Sequence, residues 1–510
     1  MIRLRPRLDA VPSTELVPDP RHDRTRASGH RRSVLLVVFG ESHFRELWRV
    51  AALLMGTEHY RPVIVFAYRY AALARDQAVC REAKVSWLCF EAPPVPGGGH
   101  AGLQTLPGLL VALSRRLSHA RRLIAEQAPA LLVFAVDYPG CGSAEFIRAG
   151  HDAGVPSVIV PFSIANHEEA LCAYGHDIER SDRVWTNRVV GWLFPRWRMR
   201  LRGRSVLRER ASFALALELL GLAPPLPWVQ NSSQADAVTV ESLAMLDYYR
   251  RSGLDEGRLV LTGALYNDLL CQVLTEADQR REALYAELGL PAGKPMILVS
   301  LPPPIQIEGR DCEFILHDEW LEVLVAEAAR AGDWNVVLCL HPMLPIEACA
   351  WLERDGVRIA RQDTASLVPL SALYVACVSA TIRWAIACGI PCVNYDAYAC
   401  RYSDYREVPG VYHVETAAEY TDVLQRLTTD RAFYEAAVAA QAEVKDRWAL
   451  FDGGNASRLL ALVDRLCGVE DAHREPAGDA SGVRERNRAC ADGKPAGMIP
   501  PDTGPVPGNG

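Results

Sequence analysis

No stretch of this 510-residue chain approaches the run of about eighteen apolar residues that a membrane-spanning helix needs. Its opening segment, MIRLRPRLDAVPST, also lacks the apolar centre of a secretion signal. No Cys-x-x-Cys pair occurs among the 14 cysteines, which are scattered and mostly lie inside apolar segments. That pattern excludes a zinc ribbon and reads as buried thiols of a reducing cytoplasm rather than a disulfide frame. An excess of positive charge is missing too. Lysine and arginine total 55 against 62 acids, giving a net charge of −7 and a pI near 6.0. Bulk nucleic-acid binding is therefore not expected.

What the chain has is apolar content, 49% of its residues, and length enough for two or three cores. Residues 1–32 are rich in arginine and proline, and residues 469–510 in proline and glycine. Neither end has the apolar surface to offset the entropy of ordering, so both are expected to be disordered, the first as a basic arm. Between them, short apolar runs alternate with helical spacing. Residues 33–288 contain SVLLVVF, VIVFA, LLVFAV, SVIV and AVTV; residues 289–468 contain MILVS, VVLCL and LYVACV. Fully apolar strands separated by helices require a parallel sheet covered on both faces. The expected fold is α/β, with two doubly wound Rossmann-like domains facing a central cleft where ligands bind.

The segment CVSATIRWAIACGIPCVNYD, Cys377–Asp396, places Ser379 and Thr381 at the start of a helix that Gly389 and Pro391 end. Free N–H groups, a positive dipole end and two hydroxyls suit a phosphate, although ordinary capping uses the same residues. His341-Pro342 closes an upstream strand of the same domain. Its imidazole is expected to project toward the same cleft, where it could donate to a phosphate oxygen.

On these residues the C-terminal half resembles the GT-B superfamily of glycosyltransferases, in particular bacterial surface and capsular polysaccharide transferases of the polysialyl-, Kdo- and CDP-glycerol types. The matching pieces are His341-Pro342, Ser379-Ala380-Thr381 and Gly389-Ile390-Pro391, with FDGGNASRLLALV (Phe451–Val463) similar to the family's terminal helix. LVLTGALYND (Leu259–Asp268) is similar to a segment shared by such transferases and UDP-N-acetylglucosamine 2-epimerases. The resemblance implies a nucleotide-sugar donor held by the C-terminal domain, with His341 near its phosphate and Ser379 and Thr381 on phosphate oxygens. It points to a cytidine nucleotide first. Ala380-Thr381 departs from the second serine common in relatives. No DxD-like cradle is evident, so a metal-independent mechanism with no cofactor beyond the nucleotide sugar is expected.

An inverting transfer needs a base for the acceptor hydroxyl, and strand ends of the first domain offer several. Asp137, a lone acid closing LLVFAV, leads; its alternative is turn support beside Pro139-Gly140. Glu168 is a second, with His167 and Glu169 beside it on the acceptor side, or all three are a solvated helix start. Glu41 and His43 either orient the acceptor or cap a helix over Phe44–Met55. Asn394 and Asp396 either touch donor hydroxyls or cap the next turn, and Asp268 reads as structural.

One segment interrupts the alternation. Within an insertion over 192–210, Arg196, Trp197, Arg198, Arg200, Arg202 and Arg204 mix basic and aromatic side chains. This reads equally as a patch for a membrane or anionic acceptor and as a solvated loop paired with acids. The combined expectation is a cytoplasmic glycosyltransferase acting on a surface glycan or lipid-linked acceptor, at the inner membrane face, with no nucleic-acid partner. A 2-epimerase of nucleotide sugars and a non-catalytic protein of the same fold are the rivals.

Overall fold

The computed structural model describes residues 31–90, 105–161, 168, 177–201, 203–232, 234–303, 312–341 and 344–469. The two ends expected to be disordered lie almost wholly outside these. The first sheet takes seven strands: β1 (Arg32–Val38), β2 (Tyr60–Phe66), β3 (Ser86–Cys89), β4 (Leu131–Phe134), β5 (Ser157–Ile159), β8 (Ala237–Val240) and β9 (Leu259–Leu261). Between β5 and β8 the chain inserts an antiparallel hairpin, β6 (Arg198–Leu201) and β7 (Arg204–Leu207). The second sheet has six strands: β10 (Met296–Leu301), β11 (Asn335–Leu340), β12 (Val357–Ala360), β13 (Leu373–Ala376), β14 (Cys392–Tyr395) and β15 (Val411–Val414).

Their orders are β3-β2-β1-β4-β5-β8-β9 and β12-β11-β10-β13-β14-β15, parallel throughout. This is the doubly wound pair that the apolar runs imply. In β1, Val34, Leu36 and Val38 pack in one layer with Phe44 and Leu47 of the helix Glu41–Met55. Leu35 and Val37 pack in the opposite layer with Ala120 and Phe146. A strand buried on both faces has no polar side to show, hence the unbroken hydrophobic run. The second layer continues into the second domain through Leu298, Tyr374 and Ile382, so one apolar cluster joins the two sheets.

Several expectations change. The helix expected over Phe44–Met55 begins at Glu41. Two further helices, Leu265–Thr275 and Ala277–Leu288, lead into the second sheet, whose edge strand is β15. The last helix, Asn455–Cys467, leaves the 289–468 unit and packs on the first sheet. Leu459, Leu462 and Val463 join the β1 layer, and the Tyr60 hydroxyl donates to Asp464. This crossing is anchored by two motifs visible in the sequence. Asn455 Nδ2 donates to Asp268 Oδ1, and Arg458 Nε donates to the Thr262 carbonyl at 2.9 Å. Gly263 has φ +73°, and a Cβ there would overlap Asn455 Oδ1, so glycine alone fits this close approach. Among the described residues no helix is long and apolar enough to cross a membrane.

Candidate functional site

Each sheet reverses strand order once, between β1 and β4 and between β10 and β13. Loops at the C-terminal ends of such strands form the crevice where doubly wound folds take ligands. Gly40–His43 follows β1 and Asp137 follows β4. In the second sheet, Val378–Thr381 follows β13 and His341 follows β11. Leu301 pairs with Leu340, and Val299 with Val375, so His341 and Val378 stand level on either side of β10. Two interstrand spacings separate their backbones by about 10 Å.

His341 is half-buried, with its carbonyl accepting the Leu344 N–H at 2.8 Å. Burial holds its pKa below the ordinary histidine value; nearby Arg45 lowers it further and Glu41 partly opposes this. Both of those residues belong to the first helix of the other domain. The imidazole therefore lies within electrostatic reach of the first domain, and its surroundings favour the neutral form. Pro342 lies outside the described residues.

The turn after β13 differs from a simple cap. The helix it leads into is short, Ile382–Ala387, and begins behind Thr381 with no side-chain cap bond. Ser379 Oγ accepts the Thr381 N–H at 3.2 Å and pairs with Thr381 Oγ1 at 2.7 Å, while the Tyr374 hydroxyl also meets Thr381 Oγ1. Ser379, Ala380 and Thr381 stay partly exposed. The preceding Val378 sits at φ 39°, a left-handed conformation that costs a β-branched residue about 1–3 kcal/mol.

Asp396 supports the turn that follows it, whereas Asn394 reaches back to the turn after β13. Asn394 Oδ1 accepts the Val378 N–H at 2.7 Å, and its Nδ2 faces His413 Nδ1 at 3.1 Å. Asp396 is buried and accepts the N–H groups of Cys400 and Arg401, fixing the next loop, while burial raises its carboxyl pKa.

A buried ion pair that the sequence reading missed joins this turn to the first domain. Arg383 Nε meets Glu241 Oε1 at 2.8 Å and Arg383 Nη2 donates to the Tyr266 hydroxyl at 2.9 Å. Its Nη1 donates to the Ala380 carbonyl at 3.1 Å. Glu46 lies near enough to feel the Arg383 charge; burial raises the carboxyl pKa of both Glu46 and Glu241. The signals were there: Arg383 is the lone charge in IRWAIA, and Glu241 closes the apolar strand AVTV.

On the first-domain side the candidates separate. Glu41 is partly exposed and bonded to Arg45 at 2.6 Å and Arg75 at 3.2 Å. His43 is buried edge-on to Phe39, and burial presses its pKa to about 4. Asp137 is buried, its carboxylate accepting the Ser143 hydroxyl and its backbone exchanging two bonds with Asn231. The cavity it lines is walled by Leu113, Arg148, Phe213 and Leu217, between helices of the first domain. This is the turn-support role. Glu168 Oε2 accepts the Ser403 N–H at 2.8 Å, bridging to the second domain. His167 and Glu169 lie outside the described residues.

The arginine insertion is corrected in part. Trp197 is fully buried in a cluster with Leu207, Phe213 and Leu217, and its indole N–H donates to Glu218 at 2.5 Å. It cannot meet a membrane. Arg196 grips the same carboxylate at 2.6 Å. Arg198 and Arg200 lie on β6, Arg204 opens β7, and Arg202 lies outside the described residues. Among the described residues no cluster of three His, Cys, Asp or Glu is placed to hold a metal ion.

No protein-family model matches this sequence, and no curated protein matches it. Solved structures do. CalG4, the calicheamicin glycosyltransferase, aligns over 86% of this chain and 99% of its own, with 15% identity and a TM-score of 0.51. The kitacinnamycin glycosyltransferase aligns over 85% and 98%, with 14% identity and a TM-score of 0.51. MnaA of S. aureus, solved with UDP, aligns over 88% and 100%, with 12% identity and a TM-score of 0.50. With its two parallel sheets, the chain has the GT-B fold carried by CalG4 and the kitacinnamycin glycosyltransferase.

Proposed function

We propose that this protein is a glycosyltransferase that moves a sugar from a nucleotide-activated donor to a glycan or lipid-linked acceptor. The observation that carries the reading is the placement of His341. It stands level with the strained Val378–Thr381 turn and electrostatically close to Arg45 and Glu41 of the other domain. A backbone held out of its preferred region by a dedicated side chain, Asn394, is typical of a site shaped for a ligand.

In this reading the donor phosphate lies between His341 and the hydroxyls of Ser379 and Thr381. As the bond from the anomeric carbon to phosphate oxygen breaks, the leaving phosphate gains charge. A neutral imidazole donating a hydrogen bond and the two hydroxyls would stabilise that charge. The acceptor hydroxyl forms the new glycosidic bond and gives its proton to a carboxylate of the first domain. Glu41 is the better placed of the acids for this, because it is partly exposed and close to His341. Asp137 instead holds the start of the helix Ser143–Asp152. The family resemblance favours a cytidine nucleotide, with no metal required.

Thermal-shift measurement with a nucleotide panel tests the reading. A ligand at a hundredfold its Kd adds about 2.7 kcal/mol to stability. Cytidine mono- or diphosphate is expected to raise the melting temperature, and His341→Ala to reduce the shift. A response only to UDP-N-acetylglucosamine would favour the epimerase reading, and silence across all nucleotides a non-catalytic one.

A further inference from the structure

The helix Trp185–Leu193 buries one side and leaves an apolar side uncovered. Its inner side, with Val190 and Gly191, is buried against the first domain. Its outer side exposes Trp185 (67%), Val189 (45%), Trp192 (76%) and Leu193 (52%). At 3.6 residues per turn these four fall in one sector about 100° wide. Large apolar side chains gathered on one exposed helix face mark a surface that meets protein or lipid. Here only one side is covered.

The segment that holds this helix is rich in arginine, some of it paired with flanking acids such as Glu218 and Glu209. From Arg183 to Arg208 the chain carries eight arginines and no acid, in a protein of net charge −7. Arg198 Cδ lies 3.4 Å from where a Cβ on Gly191 would stand, so β6 rests against this helix. Arg188 and Arg200 are exposed.

We infer that this helix and the adjoining β6–β7 hairpin dock the protein onto an anionic lipid bilayer. The indoles of Trp185 and Trp192 enter the headgroup layer, and the arginines face lipid phosphates. Charge complementarity selects this occupant: a second copy packed face to face would set arginine against arginine. The inference stands apart from the donor reading, because docking is measured with no nucleotide present.

The test is co-sedimentation of the full chain with vesicles of mixed phosphatidylglycerol and phosphatidylcholine, against phosphatidylcholine alone. Binding is expected to the anionic vesicles and to weaken with added salt. The double variants W185S/W192S and R188E/R200E are each expected to lose about tenfold or more in affinity. Both should keep the wild-type thermal melt, because the substituted side chains lie on the surface. Absent binding, equal binding to both vesicle types, or unchanged binding by W185S/W192S would overturn the inference. So would a dimer in light scattering that W185S/W192S splits, since a second copy would then cover the helix.

Discussion

Asn394 Oδ1 holds the Val378 N–H at 2.7 Å, and Val378 is the residue forced to φ 39° where β13 runs into the Ser379–Thr381 turn. Replacing Asn394 by Leu removes that acceptor and leaves a partly buried amide without it. The expected loss is about 1–3 kcal/mol in chemical denaturation. If the turn grips the donor, nucleotide affinity falls as well. A variant of wild-type stability and affinity would show that the turn holds itself.

Arg383 and Glu241 form the buried link between the domains. Arg383→Met strands the Glu241 carboxylate and is expected to cost about 3–5 kcal/mol. The double variant Arg383→Met/Glu241→Leu should recover part of that loss, because the two apolar groups need no partner while the Tyr266 hydroxyl loses these two of its own. Urea unfolding of the three proteins measures it. Equal losses in the single and double variants would mean that the pair is not coupled.

His43 makes stability depend on pH. Its folded pKa is about 4, below the ordinary value of 6.5, so only the unfolded chain takes up a proton between the two. Stability from this group is complete above pH 6.5 and is lost as the pH falls toward 4, by about 2–4 kcal/mol. His43→Gln should flatten that slope in denaturation curves measured from pH 7 to 4.

Two tryptophans near the hairpin should behave in opposite ways. Trp197→Ala empties a buried site and is expected to cost about 3–5 kcal/mol. Trp192→Ala removes an exposed ring and should change folding stability by about 0.5 kcal/mol or less. Parallel urea melts distinguish them.

The sheets were legible because strands such as β1 and β4 are buried on both faces and leave unbroken apolar runs. The crossing of the helix Asn455–Cys467 was not, because its partners, Asp268 and Thr262, lie about two hundred residues upstream. At the site, His341 and the Ser379–Thr381 turn could be placed from strand ends. Thr381 as the last residue before a six-residue helix could not, since the strain at Val378 depends on Asn394, sixteen residues away. Trp197 misled for a related reason: arginines on both sides make a segment look solvated, and only the hairpin shows which side faces the core. Arg383 carried the opposite signal, a single charge inside an apolar helix, whose partner Glu241 comes from the other domain.

The central claim is that a nucleotide's phosphate lies between His341 and the Ser379–Thr381 turn. Titration calorimetry of cytidine nucleotide into the wild type and into His341→Ala tests it most directly. The account predicts an affinity at least about tenfold weaker in the variant, with an unchanged melting temperature for the unliganded proteins. Equal affinity in the two proteins would contradict it.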